Sequence, residues 1–124
     1  MRAALCGLLL SVCIVPILSA QDATKVDPKH YTLVSENDQV RILRVHYGPH
    51  EKSVMHSHPA GVAVFLTDAT NTFTFPDGKT QTMSVKAGDA MAITPVTHLP
   101  ENTGDKGMDL ILVELKSKPA MAMK

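Results

Sequence analysis

Histidines are the side chains in this sequence best placed to do chemistry. His56-Ser57-His58 sets two imidazoles two residues apart. On a β-strand, residues at that spacing project to the same face, about 6–7 Å apart. Two neutral imidazoles so placed can take adjacent positions on one divalent ion. On a helix they would diverge, so the reading depends on a strand. A third histidine, His98, follows after a further turn-and-strand unit, where an antiparallel barrel could bring it opposite the pair. His30, His46 and His50 lie outside this pattern and are read as exposed or simply hydrogen-bonded. Glu51 and Glu101 are the carboxylates nearest the histidines in sequence; each is read as a solvated loop residue that serves as a base only if it points inward. No Gly-rich phosphate loop and no Ser/His/Asp order accompanies them.

The elements that must position these side chains read as short strands. Thr, Val and Ile are frequent, turn signals recur every eight to twelve residues, and no helical stripe is visible. That spacing predicts an all-β sandwich or barrel. The predicted strands are 31–35, 40–47, 54–58, 62–67, 72–75, 80–85, 90–93, 99–102 and 108–116. Pro76-Asp77-Gly78-Lys79 is a hairpin turn, because Pro presets one dihedral and Gly accepts the positive one. Lys86-Ala87-Gly88-Asp89 marks another. Alternation slips around Leu43-Arg44, which suggests a bulge. Leu110-Ile111-Leu112-Val113-Glu114-Leu115 is the pattern of a central strand buried on both faces.

The two ends carry separate signals. Met1-Arg2, an apolar run from Ala3 to Val15, and small residues up to Ala20 have the layout of a secretory signal peptide cleaved after Ala20. The run is too short to span a bilayer comfortably. The expectation is therefore an exported protein, periplasmic or secreted, with no stable membrane anchor after cleavage. Both cysteines, Cys6 and Cys13, fall in this leader, so the cleaved chain would have no disulfide and no thiolate ligand. An N-terminal extension over 21–30 and a tail over 117–124 read as loose ends, the tail including Met121 and Met123. The domain between them spans 31–116. Twelve basic against twelve acidic residues give no net charge, which argues against nucleic acid as a partner. Exposed edge strands make a homodimer the expected assembly.

Several stretches together resemble the cupin superfamily, in particular its small single-domain members with an RmlC-like jelly roll. They are Val40-Arg41-Ile42-Leu43-Arg44-Val45, Gly48-Pro49, His56-Ser57-His58-Pro59, Val64-Phe65-Leu66, Thr74-Phe75-Pro76-Asp77-Gly78-Lys79, Lys86-Ala87-Gly88-Asp89 and His98-Leu99-Pro100-Glu101-Asn102. The first cupin motif has the form G-x5-H-x-H-x3,4-E-x6-G and the second G-x5-P-x-G-x2-H-x3-N. The resemblance implies a double-stranded β-helix barrel in which His56, His58 and His98 are metal ligands. It also gives Asn102 an orienting or turn-closing role; beside the resemblance, Phe65 and Met91 read as apolar wall or core residues and Glu101 as a carboxylate near the site. The first glycine of the pattern falls at His50. The metal-binding Glu falls at Val62 or Ala63, neither of which can ligate a cation.

A tri-histidine centre leaves coordination positions open for water or substrate. It also leaves the ion's charge uncompensated, which favours an anionic or chelating ligand and lowers the pKa of bound water. Imidazole suits Fe(II) and Zn first, with Ni and Cu as further candidates. Affinity is expected to weaken as pH falls below about 6.5, where free imidazole titrates. The resemblance supports two functions. One is a metal-dependent enzyme of dioxygenase type, or an isomerase or lyase, acting on a small polar molecule. The other is a non-catalytic module that binds a metal or small ligand. The missing Glu and a shortened second motif also admit a barrel without metal.

Overall fold

A computed structural model describes residues 21–117. The expected leader and most of the tail lie outside them. Nine strands follow one short helix: α1 (Ala23–Val26), β1 (Tyr31–Glu36), β2 (Val40–Tyr47), β3 (His56–His58), β4 (Gly61–Phe65), β5 (Ala69–Thr74), β6 (Thr80–Val85), β7 (Ala90–Ile93), β8 (Val96–Asn102) and β9 (Met108–Leu115). They form a five-stranded sheet in the order β1-β2-β9-β4-β7 and a four-stranded sheet in the order β3-β8-β5-β6. All named strand pairs are antiparallel.

The turn chemistry acts as the residues dictate. Gly78 and Gly88 both have positive φ, +84° and +90°. Around them Gly78 N–H donates to the Phe75 carbonyl and Asp89 N–H to that of Lys86, closing the β5–β6 and β6–β7 connections. His50 also has a positive φ, of 60°. An L side chain is strained there, and this is the position where the cupin pattern carries glycine.

Inward residues of the five-stranded sheet make most of the core, with Leu43, Val45, Tyr47, Ala63, Phe65, Met108, Leu110 and Leu112 all buried, and Val85 on β6 joins them from the other sheet. Along β9, burial alternates through Met108, Leu110, Leu112 and Glu114, while the intervening side chains are half-buried. The strand therefore has one deep face rather than the two expected. The bulge also sits elsewhere. Leu33 pairs with Leu43 and Ser35 with Ile42, so Val34 is the extra residue, on β1 rather than on β2. The slip seen at Leu43-Arg44 lies next to the partner strand's irregularity.

The segment expected as a loose N-terminal extension is docked. Asp22 caps α1 through its side chain, accepting from Thr24 N–H at 2.9 Å, and bridges to Ser57 on β3. Ala23, Asp27 and His30 are buried. Its polar composition suggested solvent, but Asp22 and Thr24 bind Arg41 of the barrel, and Asp27 binds Ser53 of the barrel and His30 of its own segment.

Candidate metal centre

β3 is only three residues long, and its burial alternates so that His56 and His58 point in and Ser57 points out. It pairs with β8 so that His56 faces His98 directly. The three imidazoles are mutually close to perpendicular. Ring centroids lie 4.7 Å apart for His56 and His58, 5.2 Å for His56 and His98, and 5.3 Å for His58 and His98. One ligand nitrogen from each lies within 4.8 Å of the other two. Strands remote in sequence thus aim three donors at one point.

Each ring is fixed from behind. His56 Nδ1 lies 2.8 Å from the Val54 carbonyl. A carbonyl only accepts, so Nδ1 carries the proton and Nε2 keeps its lone pair. Ser53 Oγ stands 3.2 Å from the same nitrogen and donates its own proton to Asp27. Asp27 also holds Nδ1 of His30 at 2.7 Å, and the His30 ring stacks on Tyr47 at 4.2 Å. His58 Nδ1 donates to Glu114 Oε2 at 2.6 Å. The other oxygen of Glu114 lies 3.3 Å from Arg41 Nη1, and Arg41 is held in turn by Asp22 at 2.7 Å. His98 stacks on Phe73, 5.2 Å between centroids. The hydrogen bonds set the tautomer and orientation of His56 and His58, as metal-ligating histidines require, and stacking holds the plane of His98.

The front of the cluster is unpaired. Nε2 of His56 and Nε2 of His98 are buried without any hydrogen-bond partner. Buried polar nitrogens are costly to leave so, and a bound cation would satisfy both. Burial and the neighbouring His58 pull His56 down to about 4, and burial with the two other histidines pulls His98 down to about 3. Both are therefore neutral at physiological pH, the form that ligates. For these two ligands, protons are expected to compete with a metal only well below pH 6.5. The donor set fits a divalent ion of the imidazole-binding class.

His58 and His98 also line a cavity of about 430 Å³ inside the barrel. Phe65 and Met91 line it too, with Phe73, Phe75, Met83 and Ile93. Tyr31 and Tyr47 complete one wall, their hydroxyls 2.8 Å apart. Burial raises Tyr31 well above the usual phenol range and Tyr47 to about 12. Both stay protonated and can donate but not act as bases.

Glu101 and Asn102 stand elsewhere. Glu101 falls on the face of β8 opposite His98 and Pro100, and does not line the cavity. Asn102 is buried, but its side chain donates to the carbonyls of Gly48 and Lys106 and accepts from Gly104 N–H. It closes loops instead of touching the histidines. Glu51 is tied to Gly48 N–H, His30 and Lys29. His46 and His50 are exposed and pair with Asp109 and Asp105. Val62 and Ala63 stand on β4 with no carboxylate to offer. The carboxyl group at the site is Glu114, placed beside β4 by its pairing with Gly61. A Cβ on Gly61 would sit 2.1 Å from the Val113 carbonyl oxygen, so only glycine lets β4 approach β9 here. One signal could have found Glu114: it continues the inward row Met108, Leu110, Leu112 at a period of two.

No protein-family model and no curated relative matches the sequence. Solved structures do. A cupin domain from Bordetella pertussis is similar over 70% of this chain and 92% of its own, with 21% identity and a TM-score of 0.65. An RmlC-like cupin family protein with a double-stranded β-helix fold, from Methanocaldococcus jannaschii, is similar over 68% and 77%, with 15% identity and a TM-score of 0.56. The chain folds as a cupin. The polyketide cyclase RemF from Streptomyces resistomycificus shares the fold over 73% of this chain and 66% of its own, with 17% identity and a TM-score of 0.54. At such identities likeness establishes the cupin architecture, and the chemistry rests on the site itself.

Proposed function

We propose that this cupin holds a divalent ion on His56, His58 and His98 and uses it as a dioxygenase-type oxidoreductase on a small molecule bound in the barrel. The supporting observation is the pair of partnerless buried nitrogens, on His56 and His98, in a cluster beside the 430 Å³ cavity. Bound there, a divalent ion supplies Lewis acidity, and a redox-active one supplies one-electron chemistry toward O2. The chain supplies the rest. Phenylalanine and methionine side chains keep water from an apolar substrate body. The Tyr31–Tyr47 hydroxyl pair offers a donor to a polar substrate group. Glu114 and the Val54 carbonyl hold the rings of His58 and His56 in their ligating orientation. The lining changes the expected substrate from a simply polar molecule to one with an apolar body and a chelating end.

A binding module is the second reading, and one observation favours it. Among the described residues lining the cavity there is no Asp, Glu, Lys or Arg, so no protein base is ready for proton abstraction other than the imidazoles. Fe(II)-loaded protein should consume O2 in step with an enolic, diketone or thiol substrate, and His98→Ala should abolish that uptake. Tight binding of those compounds with no O2 consumed would assign the protein to the binding reading.

A further inference from the structure

One polar group in the cavity has no structural use. Asn71 lies on β5, is only 3% exposed, and lines the cavity beside Phe73 and Phe75. Its side-chain oxygen is buried without a hydrogen-bond partner. Burying such an acceptor unpaired costs free energy, and an apolar residue would suit the apolar wall better. Asn102, its register partner across the strand pair, offers nothing to it, because the Asn102 side chain is committed to Gly48, Lys106 and Gly104.

The position of Asn71 says what it faces. His98 and Asn102 are four residues apart on β8, about 13 Å along a strand, and Asn71 pairs with Asn102. The carboxamide therefore stands at the end of the cavity remote from the three histidines. Between the two ends lie Phe73, stacked on His98, and Pro100, which pairs with it.

We propose that Asn71 is the specificity residue of this cavity, recognising a hydroxyl at the far end of an elongated ligand whose near end is held at the histidine cluster. A hydroxyl both donates and accepts, so it satisfies a carboxamide in either orientation of its amide. The ligand class is thus an amphipathic molecule about 10 Å long, with a chelating head, an aromatic or alicyclic body and a distal hydroxyl. This inference rests on the metal-and-cavity reading above. It adds that a buried polar group left unpaired by the protein rejects a ligand lacking its complement.

The test uses two hydroxamates on Zn(II)-loaded protein: 4-phenylbutanehydroxamic acid and its para-hydroxyphenyl analogue, which differ only at the distal end. Binding measured by calorimetry should favour the phenol about tenfold, the scale of one buried hydrogen bond. Asn71→Leu should erase that preference while leaving the melting temperature unchanged or raised, because no protein hydrogen bond is lost. Equal affinities in the wild type overturn the assignment of Asn71 and leave the metal reading standing. So does a preference that survives in Asn71→Leu, or a variant whose only defect is a lower melting temperature. If neither compound binds the Zn(II)-loaded protein better than the metal-free protein, the metal-and-cavity reading fails and this inference fails with it. The wild-type comparison decides the matter even if the variant does not fold.

Discussion

Glu114 shows how one side chain can orient a histidine cluster from behind. It is buried, and it accepts from His58 while leaning on Arg41. Removing it in Glu114→Ala leaves the His58 Nδ1 proton without an acceptor and the ring free to turn. Losing such an outer partner typically weakens a metal site by about 10–100-fold. Competition against a chelator of known affinity should show that drop, with Arg41 still held by Asp22. Unchanged affinity would mean that packing alone orients His58. The His56 and His58 pair was legible because spacing of two and a strand context are local facts, and His98 because it falls at the histidine of the second cupin motif. Glu114 was not, because the run from Leu110 to Leu115 reads as buried on both faces and its single deep row shows only once the partner strands are known. Asn71 was hidden for the same reason: whether a polar strand residue is satisfied depends on neighbours distant in sequence.

Strands and turns were the most readable elements. Val40–Tyr47, Thr80–Val85 and Ala90–Ile93 have the bounds their patterns suggest, since alternation and Gly or Pro punctuation act over a few residues. The docked segment ahead of β1 was not readable, because its polar side chains resemble those of a solvated end. The loop between β2 and β3 carries a legible defect. His50 sits at φ 60° where glycine would be unstrained, and its contact with Asp105 is on the surface, where such pairs contribute little. His50→Gly should therefore stabilise the protein by about 1 kcal/mol, raising its melting temperature by about 4–8 °C for a domain of this size. A lower melting temperature would show that the loop depends on the His50 side chain.

At the scale of the whole molecule, the site and the stability are coupled through protons. His56 and His98 are held at about 4 and about 3 in the folded barrel against an ordinary 6.5. Between those values the unfolded chain binds protons that the folded chain refuses. Stability of the metal-free protein is therefore fully present above about pH 6.5 and falls as pH drops toward 4. Glu51, held at about 2 chiefly by Lys29 and by the Gly48 N–H, acts with the same sign only below its ordinary 4.5. The decline between pH 7 and 5 thus belongs to the histidines. Urea midpoints at those two pH values should differ for the wild type, and His98→Leu, which keeps only the His56 contribution, should narrow that difference to about half. A flat profile for the metal-free wild type would refute the coupling.

The proposed function requires that one cation joins His56, His58 and His98. Metal content per chain, measured on protein purified without chelators, tests this directly. The expected result is close to one divalent ion per wild-type chain, with loss of most of it in each of His56→Ala, His58→Ala and His98→Ala. Wild type and variants carrying the same metal content, whether none or one, would contradict it.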